Sequence, residues 1–193
     1  MKILIIVDPQ NDFCEGGTLP VPGAKEAMTN LAKYIKLNEE TYDFIAVTMD
    51  SHPEDHCSFI ENGGIWPEHC IPYTKGWDIH PKLADALDTK DYDNNLPLVH
   101  YYHKGITSNL EEYSITEAKD YNNLLYHLLK HFAISDDFEI HICGIAGDYC
   151  VLQTINGLKS NFTNIKVLQE YTVSIDNGNK LNEFCKENKI QMI

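Results

Sequence analysis

A cysteine follows a glycine-rich turn in the run Gly144–Val151, which reads Gly-Ile-Ala-Gly-Asp-Tyr-Cys-Val. The turn separates a strand pattern from a helical pattern, so Cys150 is predicted in the first turn of a helix. The positive end of a helix dipole lowers the pKa of a thiol there, and free N–H groups of that turn can stabilise an oxyanion. These features predict a nucleophilic Cys150. A buried structural cysteine is the alternative, and Cys143 is interpreted as one.

Four potential metal ligands occur in the range 50–69, directly after another apolar run. They are Asp50, His52, His56 and His69. Imidazole and carboxylate groups together suit Zn²⁺, Fe²⁺ or Mn²⁺. The sequence therefore predicts one divalent transition metal, with zinc as the first expectation and iron or manganese as alternatives. A polar surface loop with scattered histidines is the competing interpretation.

Two further charged residues follow apolar runs. Asp8 ends the first run, where a carboxylate can act as a general base, and Lys104 ends another, where it can hold a thiolate and a carboxylate together. Taken singly, Asp8 is better explained as a turn residue and Lys104 as a solvated charge. Together with Cys150 they become a candidate catalytic set.

Short apolar runs alternate with amphipathic patterns along the chain. Strands are predicted at 3–7, 44–48, 96–101, 139–144, 165–168 and 190–193, and helices at 24–37, 122–132, 149–158 and 179–187. Such alternation indicates an α/β fold, a three-layer α-β-α domain over 1–193 with a mainly parallel sheet of about six strands. Ligands of these sheets bind beyond the carboxyl ends of the strands, where the candidate residues lie.

Composition limits the classes of function. The 193 residues fit one domain, and 15 Lys+Arg against 29 Asp+Glu give a net charge of −14, which argues against nucleic-acid and anionic-membrane partners. The apolar run at 3–7 is too short for a signal sequence or a membrane span, which predicts a cytoplasmic protein with reduced cysteines. G-x-S-x-G, Walker A and G-x-G-x-x-G patterns are absent. A homo-oligomer is left open.

The chain resembles the isochorismatase-like cysteine hydrolases, and within them the nicotinamidases, also called pyrazinamidases. Five stretches carry the resemblance: Ile5–Gly17, Thr48–Phe59, Trp66–Cys70, His103–Gly105 and Gly144–Val151. The set of Asp8, Lys104 and Cys150 is typical of the superfamily. The metal-ligand loop with its W-P-x-H-C run is specific for nicotinamidases.

The resemblance implies a role for each catalytic candidate. Cys150 is expected to be the nucleophile, Asp8 the base that takes the thiol proton and returns one to the leaving ammonia, and Lys104 the cation that orients both. The backbone N–H groups of Ala146 and Cys150 are expected to form the oxyanion hole, beside a cis peptide between Ile145 and Ala146.

The resemblance also implies the binding residues. The expected metal ligands are Asp50, His52, His56 and His69, and the metal would either anchor the pyridine nitrogen or activate water. Phe13 and Trp66 match positions that flank a flat ring, and Tyr113 is expected to be a further wall of the substrate pocket. Gly147 stands where relatives often carry threonine, which predicts a more flexible nucleophile turn.

The implied reaction converts nicotinamide to nicotinate and ammonia through a cysteine thioester, in NAD salvage, with pyrazinamide-like amides as related small-molecule substrates. A poor electrophile such as an amide needs a strong nucleophile, an oxyanion hole and a proton donor. One alternative is a related cysteine amidohydrolase acting on a carbamoyl or ureido compound, whose family members generally lack the loop ligands. Another is a non-catalytic protein that binds a metal or a small molecule.

Overall fold

One parallel sheet forms the centre of the molecule. The computed structural model describes residues 1–88, 97–116, 124–132 and 138–193. The strands are β1 (Lys2–Val7), β2 (Phe44–Asp50), β3 (Leu98–Lys104), β4 (Glu139–Ile145), β5 (Ile165–Val173) and β6 (Gln191–Met192), in the order β3-β2-β1-β4-β5-β6. Each neighbouring pair of these strands is parallel. The predicted α/β class and its parallel sheet are confirmed.

Helices cover both faces of the sheet. They are α1 (Ala24–Leu37), α2 (Pro81–Leu87), α3 (Leu124–Phe132), α4 (Leu152–Leu158) and α5 (Asn179–Glu187). Successive strand residues point to opposite faces, so Leu4 and Ile6 of β1 pack with α1 and α2, whereas Ile3 and Ile5 pack with α3, α4 and α5. This alternation produces two hydrophobic cores and the predicted three layers.

The apolar spacing of α1 explains why the helix forms and which side it buries. Its buried residues recur at helical intervals, from Ala27 through Leu31 to Ile35. The Glu15 carboxylate accepts hydrogen bonds from the N–H groups of Gly23 at 2.7 Å and Lys25 at 2.8 Å, which satisfies free donors at the start of the helix.

Four strands extend past the ends that the sequence predicts, namely β2, β3, β4 and β5, and β5 continues furthest, to Val173. β2 continues to Asp50 and β3 to Lys104, because the two strands pair up to their last residues, with Asp50 opposite Lys104. The short helix α2, which begins with a proline, was not predicted. The predicted first residues Leu96 of the third strand and Asn122 of the second helix lie outside the described residues.

The order in which the chain adds strands to the sheet reverses between the two central strands, β1 and β4. From β1 the chain winds outward through β2 and β3, and from β4 it winds the other way through β5 and β6. In open parallel sheets this switch point leaves a crevice at the carboxyl ends of the strands. Asp8 directly follows β1, and the turn with Cys150 directly follows β4. The fold therefore brings these two residues to the same crevice.

No helix within the described ranges combines the length and the apolar character that crossing a bilayer requires.

Candidate active site

Three of the predicted residues meet in the crevice. Lys104 Nζ lies 2.9 Å from Asp8 Oδ2 and 3.5 Å from Cys150 Sγ, and it also contacts a carboxylate oxygen of Asp50. Asp8 and Lys104 are almost completely buried, and Cys150 retains 7% exposure. A cation thus lies between two carboxylates and a thiol, shielded from solvent.

The charges of this group shift one another's pKa values. Burial raises the pKa of Asp8, although the Lys104 ammonium acts in the opposite direction. Burial opposes the charge of Lys104, but Asp50 and Asp8 hold its pKa well above the usual range. Burial likewise opposes ionisation of Asp50, and Lys104 nevertheless lowers the pKa of that carboxyl. Lys104 and Asp50 are therefore ionised at neutral pH, and Asp8 is a stronger base than an ordinary aspartate.

The expectation of a lowered thiol pKa at Cys150 is wrong. Burial raises the pKa of this thiol well above its usual range; Lys104 lowers it, but Asp8 and Asp50 raise it again. The helix dipole considered from the sequence is a local effect, and burial beside two carboxylates outweighs it. A thiol with such a raised pKa is protonated at neutral pH, and it becomes a thiolate only where a neighbouring base takes the proton. An Asp8 oxygen lies within 4.8 Å of the sulfur.

Contacts with β2 fix the position of Asp8. Its backbone N–H donates to Thr48 O at 3.0 Å, and its Oδ1 accepts a hydrogen bond from Thr48 Oγ1 at 2.7 Å. Its backbone has a φ of +48°, an uncommon value for a residue other than glycine. The remaining oxygen, Oδ2, faces Lys104.

The turn that carries Cys150 is tightly built. The peptide bond between Ile145 and Ala146 is cis, as expected, and a single turn of π-helix follows over Gly147–Val151. The N–H groups of Tyr149 and Val151 both donate to Ala146 O at 3.1 Å. A side chain at Gly147 would begin 2.2 Å from Ser174 Oγ. Close packing therefore explains the glycine, and the flexibility of this turn stays a prediction.

A second group suits a metal ion. One ligand atom each of Asp50, His52 and His69 lies within 4.8 Å of the others, and all three residues are buried. Nδ1 of His52 donates to Gly105 O at 2.9 Å, and Nδ1 of His69 donates to Pro67 O at 2.7 Å. A carbonyl oxygen only accepts, so the lone pair of each ring is on Nε2.

The lone pair of His52 lies close to a carboxylate. Nε2 of His52 lies 3.7 Å from Asp50 Oδ2. Burial opposes a proton on His52, yet Asp50 raises the pKa of this ring, so the site attracts positive charge. Two imidazole nitrogens and one carboxylate oxygen fit a divalent transition metal with coordination positions left open for other ligands.

His56, the fourth predicted ligand, lies beside this group but outside it. Its ring stacks on His52 with centroids 4.1 Å apart. Its Nε2 donates to Leu110 O at 3.0 Å, and its Nδ1 accepts from Ser58 Oγ at 2.7 Å. Burial and His52 lower its pKa to about 4, so the ring is neutral. The structure thus brings three of the four predicted ligands together and engages both nitrogens of His56 elsewhere.

Sequence reasoning did not single out two buried residues that support this group. The Gln10 side chain accepts from the N–H of Asp50 at 2.8 Å and donates to the carbonyl of the same residue at 2.8 Å. The Asp12 carboxylate accepts from the N–H of Cys70 at 2.7 Å, directly after His69. Their position right after β1 was the available signal, but their partners are distant in sequence.

A cleft of about 430 Å³, its open mouth included, lies over both groups. Its lining consists of Phe13, Leu19, Val21, Asp50, His52, Trp66, His69, Glu111, Tyr113, Ala146, Tyr149, Cys150 and Ile175. The three predicted pocket residues Phe13, Trp66 and Tyr113 are all present, and Trp66 Nε1 donates to the Tyr113 hydroxyl at 3.1 Å. No comparable signal in the sequence indicates the aliphatic lining or Tyr149.

Comparison with known proteins agrees with this geometry. The family model of the isochorismatase domain matches residues 2–96. The nicotinamidase/pyrazinamidase of Mycobacterium tuberculosis is 34% identical over 91% of this chain and 88% of that protein.

Solved structures are similar over the whole chain. The pyrazinamidase of Pyrococcus horikoshii in complex with zinc has a TM-score of 0.76 and 30% identity, covering 100% of this chain and 98% of that one. The yeast nicotinamidase bound to the inhibitor nicotinaldehyde has a TM-score of 0.80 and 28% identity, covering 100% and 99%.

The fold, the crevice at its switch point and the matching domain model define an isochorismatase-like hydrolase. Within that class, the chain belongs to the nicotinamidase and pyrazinamidase family.

Proposed function

We propose that this chain hydrolyses nicotinamide to nicotinate and ammonia. The observation that carries the proposal is the contact of Lys104 with both Asp8 and Cys150 at the floor of a cleft beside a metal-binding group. The family relationship adds support, because its members include nicotinamidases and a nicotinamidase bound to nicotinaldehyde. Pyrazinamide-like amides are proposed as related substrates.

The first step forms a bond between Cys150 Sγ and the carboxamide carbon. Asp8 takes the thiol proton as the sulfur attacks, which its raised pKa favours. Lys104 stays protonated and stabilises the sulfur and the carboxylate as charge moves between them. This sequence of events removes the need for a resting thiolate.

The tetrahedral intermediate carries an oxyanion and the amine leaving group. We assign the oxyanion hole to the N–H groups of Ala146 and Cys150, two residues that line the cleft. Asp8 returns its proton to the nitrogen, the carbon–nitrogen bond breaks, and ammonia leaves. A thioester on Cys150 remains.

Water completes the reaction. Asp8, again a carboxylate, takes a proton from a water molecule that attacks the thioester carbon. The carbon–sulfur bond breaks, nicotinate leaves, and the sulfur recovers its proton. One amide and one water thus yield one carboxylic acid and one ammonia.

We propose that Asp50, His52 and His69 hold a zinc ion, with iron or manganese as the alternatives. Their buried donor set supports a divalent transition metal. When bound, the metal supplies a Lewis acid that either orients the ring nitrogen of the substrate or polarises water. His56 is proposed to support the ring of His52. This metal-binding group also favours nicotinamide over a carbamoyl or ureido substrate.

The aromatic lining suits a flat ring. Phe13, Trp66 and Tyr113 offer apolar faces, and Trp66 and Tyr113 hold each other through a hydrogen bond. We also infer a cytoplasmic role in NAD salvage, because a reducing compartment suits a catalytic thiol. The net charge of −14 argues against nucleic acid as a partner.

Product analysis tests the proposal. Purified protein is incubated with nicotinamide before chelation, after chelation and after re-addition of zinc, and both nicotinate and ammonia are quantified. We expect equal amounts of the two products, loss of turnover after chelation, and recovery with metal. Absence of both products from folded, metal-loaded protein would overturn nicotinamide as the substrate.

A further inference from the structure

Ile175 has a distinct place in the cleft. Among the residues that line it, Ile175 is the one that is exposed, with 43% of its surface accessible, whereas Cys150 at the floor has 7%. Ile175 therefore lies at the mouth. A ring whose carboxamide carbon is at Cys150 on the floor extends toward the mouth, which Ile175 lines.

A buried carboxylate fixes the backbone of Ile175. Asp148 accepts hydrogen bonds from the N–H of Ile175 at 3.0 Å and from the N–H of Asp176 at 3.1 Å. Asp148 is only 6% exposed and precedes Cys150 by two residues in the nucleophile turn. Asp148 thus fixes the backbone of Ile175 at the mouth and is itself part of the turn that carries Cys150 at the floor.

The same segment approaches the nucleophile turn at a second point. A Cβ atom at Gly147 would lie 2.2 Å from Ser174 Oγ and 3.2 Å from Thr172 Cγ2. The absence of a side chain at Gly147 permits this approach. Two neighbouring residues of one turn therefore determine where Ile175 stands relative to Cys150.

We propose that Ile175 is a specificity-determining residue and that Asp148 is the positioning residue that holds it in place. Together they restrict the cleft to aromatic amides without a substituent on the ring edge opposite the carboxamide. This inference rests on the proposed amidase function. It adds a substrate boundary, because the branched side chain lines the mouth toward which a substituent on that ring edge would extend.

The direct test replaces Ile175 with alanine. The ratio of kcat/KM for 5-methylnicotinamide and for 6-methylnicotinamide to that for nicotinamide is measured in both proteins. Removing the branched side chain is expected to raise at least one ratio about tenfold or more, the discrimination one methylene-sized group gives in an apolar pocket. Ile193→Ala is the matched control, because Ile193 is 48% exposed and does not line the cleft.

Asp148→Asn tests the positioning role. Asparagine offers one carbonyl oxygen where the carboxylate offers two, so one N–H of the Ile175–Asp176 pair loses its acceptor. We expect the selectivity ratio to rise in this variant, with a change mainly in KM. The double variant Asp148→Asn/Ile175→Ala is expected to show no further rise over Ile175→Ala, because both changes act on the same wall.

The possible outcomes distinguish a failure of this inference from a failure of the proposed amide hydrolysis. Turnover of nicotinamide with both ratios unchanged in Ile175→Ala overturns the specificity role alone. A further rise of the ratio in the double variant overturns the positioning role of Asp148. Absence of turnover of all three amides by the native, metal-loaded protein overturns the proposed function and this inference together.

Discussion

The sheet carries a polar cluster at each end of its strands, buried at the carboxyl edge and partly buried at the amino edge. The carboxyl-edge cluster consists of Asp8, Asp50, Lys104 and Cys150. The amino-edge cluster consists of Tyr34, Tyr42, Glu139, His141 and Lys166. Strand β4 connects them, since it begins at Glu139 and ends just before the turn with Cys150.

The amino-edge cluster is a chain of satisfied contacts. Tyr34 and Tyr42 share a hydrogen bond of 2.8 Å, Tyr42 reaches Nδ1 of His141 at 2.8 Å, and Nε2 of His141 lies 2.7 Å from Glu139. Lys166 bonds the second oxygen of Glu139 at 2.5 Å. Such a network stabilises the fold and leaves no atom available for a substrate.

The carboxyl-edge cluster uses similar residue types but is not satisfied in the same way. Asp8 Oδ2 lies 2.9 Å from the Lys104 ammonium, and the same ammonium also contacts a carboxylate oxygen of Asp50. Two carboxylates compete for one cation, and the cluster opens on a cleft. The difference teaches that reactivity here comes from incomplete pairing of buried charges next to a cavity.

The largest expected effect is a loss of kcat, in a comparison of alanine substitutions at two buried cysteines. Cys150→Ala is expected to reduce kcat about 10⁴-fold or more while changing the free energy of unfolding by about 1 kcal/mol or less. Cys143→Ala, inside β4, is expected to keep turnover and to cost about 1–2 kcal/mol through lost packing. Steady-state kinetics and urea unfolding measure both. Retained turnover in Cys150→Ala would contradict a catalytic role for the carboxyl-edge cysteine.

Metal binding gives the next effect. His52→Ala removes a nitrogen ligand and is expected to lower zinc affinity about 100-fold or more, whereas His56→Ala is expected to lower it by less than about tenfold. Competition with a chromophoric chelator measures both affinities. Equal losses of zinc affinity in the two variants would show that His56 is a metal ligand. They would contradict the assignment of its two ring nitrogens to hydrogen bonds with Leu110 and Ser58.

A smaller effect is expected at Gln10. Gln10→Met removes both hydrogen bonds to the backbone of Asp50 and is expected to weaken zinc binding about tenfold, as loss of an outer partner of a metal ligand typically does. Asn11→Ala is the matched control, because its amide donates to Lys75 O, near the surface and away from Asp50. The same competition assay applies. Similar zinc affinities in both variants would show that Gln10 does not help to position the metal ligand Asp50.

The smallest expected effect is a change in stability at the amino-edge cluster. Burial opposes ionisation of Glu139, but hydrogen bonds from Lys166 and His141 lower its pKa to about 2. A lowered folded-state pKa stabilises the protein above pH of about 4.3, and this stabilisation is lost as the pH falls toward 2. Glu139→Gln should therefore destabilise by about 1–2 kcal/mol at pH 7 and by less at pH 3, with kcat unchanged. A lowered kcat would show that the two clusters are coupled.

Much of the architecture was predictable because it depends on local pattern. Apolar runs of β1 and β4 predict buried parallel strands, and parallel strands deliver the residues after their ends to one crevice. Asp8 and Cys150 therefore converge as predicted. The residue types of the metal loop likewise identify Asp50 and His52 without knowledge of their distances.

The remaining features depend on contacts between distant segments. Whether His56 points at the metal site depends on Leu110, which follows it by 54 positions. The thiol pKa of Cys150 depends on burial beside carboxylates from other strands, so a dipole argument from one turn gave the wrong direction. The backbone of Ile175 at the cleft is bonded to Asp148, which precedes it by 27 positions. No periodicity or motif in the sequence encodes these contacts.

Trapping the covalent intermediate tests the central claim most directly. Native protein is mixed with nicotinamide, quenched rapidly with acid, digested, and examined by peptide mass spectrometry. We predict a nicotinoyl thioester on the peptide that contains Cys150 and no such adduct in the Cys150→Ala variant. An adduct on Cys57, the one cysteine that is not buried, or product formation by the Cys150→Ala variant in a single turnover, would contradict the assignment of the nucleophile.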